Sequence, residues 1–197
     1  MTAHTTRQGR RTLMFALAGL SAMLLVAQLA AQKGNVPTFT GKGKVTEALN
    51  TDTGALLDIG SGVTMFFPVG LPIGRSRLVT FKRGKRAPAK AIAKGFKAIG
   101  PTLDFNGAFN TAGKPIVVTL KQKRAPSKAG YRLVLAMEVG TLCDDKNKRY
   151  KLKSGLCSGW ELLDATYDRG SSQLVAKLNS TGGMRLQFGL AKEEAGD

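Results

Sequence analysis

The chain has 197 residues, 43% of them hydrophobic, enough for one packed domain of ordinary size. Thirty Lys and Arg against 13 Asp and Glu give a formal charge of +17, which draws polyanions and turns away polycations. One histidine and two cysteines leave too little material for a Cys/His zinc site.

The first 31 residues read as an export signal. Arg7, Arg10 and Arg11 form a basic start with no acid, residues 13–29 are almost wholly apolar, and Leu29-Ala30-Ala31 offers small residues before Gln32. An uncleaved anchor is the rival reading, because the apolar run is close to the shortest bilayer span. Either way the arginines stay inside and the domain is exported. Arg10-Arg11-Thr12-Leu13-Met14 also fits a loose twin-arginine pattern. Removing residues 1–31 takes three arginines and no acid from +17 and leaves +14, so the charge belongs to the mature domain. His4 leaves with the signal, and with it any imidazole for general base work, nucleophile activation or metal ligation. Histidine triads are excluded, and no cofactor or metal is expected.

Residues 32–54 carry Gly34, Gly41, Gly43 and Pro37 with few large apolar residues, a lead-in that supplies at most one edge strand near 43–49. Val63, Met65 and Phe67 then alternate with Thr64 and Phe66 until Pro68 and Gly70, which predicts a strand with Phe66 and Phe67 on opposite faces. Residues 77–81 give another strand, running into the basic turn Lys82-Arg83-Gly84-Lys85-Arg86. Ile92, Phe96 and Ile99 suit a short helix, but Gly95 weakens it and a strand into Gly100-Pro101 is equally compatible.

Two apolar runs in residues 100–120 flank a small-residue loop with Asn106-Gly107 and Ala112-Gly113, and the β-branched Ile116, Val117 and Val118 favour extended backbone. A strand pair is the expectation. The second run enters Lys121, Lys123, Arg124 and Lys128, an echo of the earlier basic turn. If one further strand separates the two in a meander, both turns share one pole; otherwise they are independent solvated loops. Residues 131–139 alternate as a strand. Cys143 and Cys157 bracket a charged excursion and are expected to form a disulfide in an oxidising compartment, the alternative being two buried thiols. Segments around Trp160, Leu174 and Met184 give three more short strands, parted by Asp168-Arg169-Gly170 and Gly182-Gly183.

Short strands at this spacing indicate an all-β fold: a single Ig-like antiparallel β-sandwich over residues 55–191, with residues 192–197 as a tail. Phe67, Phe105, Val117, Leu135 and Trp160 are its expected interior, with Trp160 as a plug between sheets rather than a sugar platform.

Val63-Thr64-Met65-Phe66-Phe67-Pro68-Val69-Gly70-Leu71, Gly100-Pro101 with Leu103, Phe105 and Phe109, Lys114-Pro115-Ile116-Val117-Val118, and Gly159-Trp160-Glu161-Leu162 resemble the motifs of the β-sandwich family shared by ankyrins, netrin receptors and zona occludens proteins. Exported bacterial proteins also carry this domain. The resemblance implies an interaction module or spacer. Some members cleave themselves at histidine-phenylalanine-serine near the last strand; here the residues are Arg185-Leu186-Gln187-Phe188-Gly189, so no self-cleavage is expected.

Function follows as a non-catalytic exported interaction or scaffold domain of the bacterial envelope, whose partner is an envelope protein. In the alternative reading the charge itself is functional, and Arg83, Lys85, Arg86, Lys123, Arg124 and Lys128 bind an anionic envelope polymer or lipid headgroup. Nucleic acid is disfavoured by export and by the lack of aromatics in the basic turns. The membrane is met only through an uncleaved signal segment. A carboxylate enzyme is a third possibility, but Asp104, Asp144, Asp145, Asp164 and Asp168 show no acid–base spacing.

Overall fold

The computed structural model describes residues 36–50, 52–71, 77–85, 89–107, 109–111, 113–143, 155–181 and 184–193, all within the compact unit Val36–Asp197. The expected signal peptide, Arg86, and Asp144 and Asp145 lie outside the described residues.

The regular structure of the described chain is almost all strand, with one four-residue helix. Its order is β1 (Thr38–Thr40), β2 (Lys44–Leu49), β3 (Ala55–Asp58), β4 (Val63–Phe67), β5 (Arg77–Arg83), the four-residue helix α1 (Ala89–Ile92), β6 (Lys97–Ala98), β7 (Leu103–Asn106), β8 (Phe109–Asn110), β9 (Ile116–Lys121), β10 (Tyr131–Thr141), β11 (Cys157–Asp168), β12 (Gln173–Leu178), β13 (Ser180–Thr181) and β14 (Met184–Lys192). The undecided stretch from Ile92 to Ile99 divides: helix first, then a strand that Gly95, at φ 78°, lets the chain turn into.

Hydrogen bonding runs β1-β3-β4-β9-β12-β11-β10-β14-β7-β5-β2, with β6 added beside β14 and β8 paired with β13. The two ends of this path are consecutive strands. Between them Gly41 N–H donates to Asp58 O at 2.8 Å, Gly43 N–H to Ile59 O at 2.8 Å, and Arg83 N–H to Gly43 O at 2.9 Å, so the link from β1 to β2 closes most of the gap. The all-β class is as expected, but the path is a nearly closed barrel rather than two open layers. The reason is β11: its first part pairs with β10 (Val134↔Asp164 to Thr141↔Cys157) and its last residues with β12 (Ala165↔Ala176 to Asp168↔Gln173). One twelve-residue strand thereby carries the ladder around a corner.

The expected strand pair in residues 100–120 does not form. β7 pairs with β14 and β5, and β9 with β4 and β12. Inward alternation packs Met65, Phe67, Phe105, Val118, Leu135, Leu174 and Phe188 into one interior. Phe67 and Phe105 lie 5.8 Å apart between ring centroids. Val117 is buried but alternates with the core residues Ile116 and Val118, so it faces outward. Trp160 is not a plug. It is half-buried and packs with Ile92, Phe96, Val134 and Ala136 in a second cluster on the outer wall, roofed by α1 and the turn after it.

Cys143 and Cys157 form the expected disulfide, with S–S 2.09 Å and Cα–Cα 5.0 Å, which fits an oxidising, non-cytoplasmic compartment. In the oxidised chain neither thiol should take up maleimide until a reductant is added. Labelling of both without reductant would contradict the bridge.

Candidate polyanion-binding pole

Register fixes which strand ends share a pole. β4 and β9 run antiparallel with Val63 opposite Leu120, β5 and β7 with Arg83 opposite Leu103, β2 and β5 with Lys44 opposite Lys82, and β10 and β14 with Tyr131 opposite Lys192. The exits of β5, β9 and β14 therefore meet the entries of β2, β4 and β10 at one end of the barrel. Arg83 and Lys85 leave β5 there; Lys123, Arg124 and Lys128 leave β9 there. All five are exposed. Of the two arrangements the sequence left open, the basic turns share one pole; β7 runs back antiparallel to β5 between them, but β9 pairs with β4 and β12 and not with β7, so they are not neighbours in a meander.

They are also joined. The turn between β3 and β4, Gly60-Ser61-Gly62, lies between them: the Arg83 guanidinium donates to Ser61 Oγ, and Lys121 N–H donates to Gly62 O at 2.8 Å. Gly62 is tight against the β9 exit, since a Cβ there would sit 2.2 Å from Lys121 Cβ, and its φ of 72° suits glycine. Lys42, Lys44 and Lys121 join the same rim as exposed side chains. Sequence reading missed these three because a lone lysine carries no signal until register says which end it occupies.

Most aspartates at this pole have local work, while Glu193 stays exposed beside Lys192. Asp58 accepts from Gly60 N–H at 2.7 Å. Asp168 accepts from Gly170 N–H at 3.1 Å and Ser171 N–H at 3.0 Å; the Ser171 hydroxyl, then these amides, hold its carboxyl below the usual range. Asp104 lies 4.0 Å from Lys82 Nζ. The rim thus keeps its cations while its aspartates are spent on turns and on Lys82. At the opposite pole Lys114 Nζ is tied to the carbonyls of Val69 and Gly70, each at 3.2 Å.

No family model and no curated protein matches this chain.

Among the described residues no group of three His, Cys, Asp or Glu could hold a metal ion, and no helix is long and apolar enough to cross a membrane. A groove of about 330 Å³ on the outer wall is lined by Thr80, Lys82, Asp104, Asn106, Glu138 and Arg185, with Phe105 and Met184. It brings together two carboxyls that sequence spacing did not connect. Burial pushes Asp104 up, against the charges of Lys82 and Arg185. Burial also pushes Glu138 up and is the largest single influence on it, but hydrogen bonds from Arg185 and Ser158 with the Arg185 charge outweigh it and leave Glu138 lowered. Arg185 takes both Glu138 oxygens, and Ser158 Oγ donates to one of them at 2.5 Å. A carboxylate so engaged is poorly placed to take a proton from a substrate; the groove has the character of a structural ion pair.

Proposed function

We propose that this is a non-catalytic, exported domain of the bacterial envelope that holds an anionic polymer against the basic pole of its barrel. The observation that carries the reading is the convergence of the β5 and β9 exits, bridged by Gly60-Ser61-Gly62, into one cationic rim. An extended polyanion laid across several exposed lysines and arginines gains mainly by releasing counterions. A membrane surface fits less well: the exposed large apolar residues among those described are Val69, Leu78, Leu142 and Leu156, which lie on the half of the barrel away from this rim. The resemblance to ankyrin, netrin-receptor and zona occludens domains belongs to the same reading, as an interaction module working through its loops.

Long-chain inorganic polyphosphate is the probe for the mature, disulfide-bonded chain. Affinity should fall steeply with salt. The variant R83Q/K85Q/K123Q/R124Q should flatten the slope of log affinity against log salt by about 3, from four contacts worth roughly 0.7–0.9 each. A slope unchanged in that variant would remove the rim from the function. The domain would then be a scaffold for an envelope protein, with Leu142 and Leu156 beside the disulfide as its exposed contact surface.

A further inference from the structure

Strand alternation decides which side chains line the mouth of the barrel at the basic pole. β10 turns Leu133, Leu135 and Met137 to the interior, so Tyr131, two residues before Leu133, points the same way at the rim. β14 turns Met184, Leu186 and Phe188 inward; Lys192 continues that face and is the register partner of Tyr131. In β6, Ala98 belongs to the outer cluster while Ile99 packs on the inner one, which places Lys97 on the inner face too. Lys128 enters from the loop above, held by Tyr131 N–H donating to Lys128 O at 3.1 Å and Glu193 N–H donating to Gly130 O at 2.9 Å. Its Nζ lies 4.1 Å from the centroid of the Tyr131 ring, and Lys97 Nζ lies 5.8 Å from the same centroid.

The β6 strand and the loop before β10 thus bring two ammonium groups to one phenol, and β14 sets a third, that of Lys192, on the neighbouring strand where its charge also acts on Tyr131. The ring face offsets part of their mutual repulsion, and the remainder favours an anion that all three can share. Lys128 is the main cause that lowers the Lys97 ammonium below its ordinary value, and the main cause that lowers the Tyr131 phenol, with Lys97 and Lys192 adding to the latter. Lysines act as point charges on flexible stems, which suits a compact tetrahedral oxyanion better than a planar carboxylate that wants an arginine fork. Barrel mouths are also a recurrent place for small-ligand sites.

We propose that this mouth is a subsite for a phosphate group, held by Lys97, Lys128 and Lys192 with the Tyr131 hydroxyl as a neutral donor. It rests on the reading of the pole as a polyanion surface and adds a division of labour. The rim tracks the polymer, and the mouth takes a single dianionic phosphate, as at a chain end.

The test uses the mature chain with inorganic phosphate and then pyrophosphate, at ionic strength held constant with chloride, and follows the Tyr131 ring signals by NMR. A saturable shift is expected. Lys128→Gln and Lys97→Gln should each weaken it by about tenfold, while Lys177→Gln, an exposed charge on β12 toward the opposite pole, should leave it unchanged. R83Q/K85Q/K123Q/R124Q should lose polyphosphate affinity yet keep the phosphate response of Tyr131. Absence of a saturable shift below about 10 mM, or equal weakening by Lys177→Gln, would overturn the mouth site even where the rim still holds polymer. A protein that holds no polymer at low salt while Tyr131 still responds would overturn the rim alone. With intact polyphosphate, a Tyr131 response that grows with the number of chain ends supports end recognition. A response that depends only on total phosphate residues would overturn that assignment.

Discussion

Gly189→Ala is expected to destabilise the barrel by about 3 kcal/mol, the upper part of the range for forcing an extra methyl into a packed site. A Cβ at position 189 would stand 2.2 Å from Phe96 Cζ, 2.7 Å from Phe96 Cε2 and 2.7 Å from the Lys97 carbonyl oxygen. The ring could swing away; the carbonyl could not, because it belongs to β6, which pairs with β14 at Gly189↔Ala98. Relief therefore requires β6 to peel back. That would break the bond from Ile99 N–H to Phe188 O, now 2.8 Å, and lift Phe96 off the outer cluster with Ile92, Val134 and Ala136. Urea unfolding of the oxidised chain measures the loss, and for a domain of this size the melting temperature should drop by roughly 6–12 °C. Adding Phe96→Ala should restore little, since the carbonyl clash remains. A loss below about 1 kcal/mol would mean that β6 is not seated on Gly189. The same variant should weaken the Tyr131 response to phosphate, because β6 carries Lys97.

Gly189 also marks what the sequence hid. Alternation of Val63, Met65 and Phe67, of Leu133, Leu135 and Met137, and of Met184, Leu186 and Phe188 is a local pattern with a local cause, one wet face and one dry face. The strands they predict are present at β4, β10 and β14. β3 was invisible because Ala55, Leu56 and Leu57 are all at least half-buried, so its pattern reads as a bare apolar run. Sheet order was out of reach for another reason. That β7 seeks β14 and β5 rather than β9 depends on the whole barrel closing, a long-range condition that no window of ten residues expresses. The same closure gives Trp160 its place: an aromatic in a strand declares that it will be covered, but not from which side. For the site, charge runs could be read directly in Arg83, Lys85, Lys123 and Arg124. Lys97 and Lys192, separated by almost a hundred residues, meet Tyr131 only through register.

Arg185→Met should cost about 3 kcal/mol near neutral pH, and most of that cost should disappear in acid. Glu138 has a side chain only 8% exposed and owes its ionised state to Arg185, which takes both carboxylate oxygens, and to Ser158. Without the guanidinium, burial prevails and a charge is left without its counterion. Removing one partner of a buried pair costs about 3–5 kcal/mol, and the lower figure applies because Arg185 itself is 33% exposed. Glu138→Leu/Arg185→Met removes both charges and should recover most of the loss, since apolar replacement of a buried pair is often neutral.

The sign of the pH dependence follows from linkage. In the native chain the Glu138 carboxyl is lowered, so its stabilisation is present above the unfolded pKa and is lost as pH falls through the folded value. In the variant that carboxyl is raised instead and takes up a proton on mild acidification. Asp104 already lies on the raised side, chiefly through burial, with Lys82 and Arg185 holding it down. A raised acid stabilises below its unfolded pKa and loses that contribution as pH rises through its folded one, so removal of Arg185 pushes Asp104 further in the same direction. Both carboxyls therefore make the deficit of Arg185→Met greatest at pH 7 and smaller near pH 4, about the ordinary range for carboxylates. Trp160 is the only tryptophan in the chain, and its ring lies 5.7 Å from the Arg185 guanidinium, so its fluorescence reports both the unfolding midpoint and the loss of the cation. A deficit that stays constant from pH 7 to pH 4 would assign the effect of Arg185 to packing against Trp160 and not to the charge of Glu138.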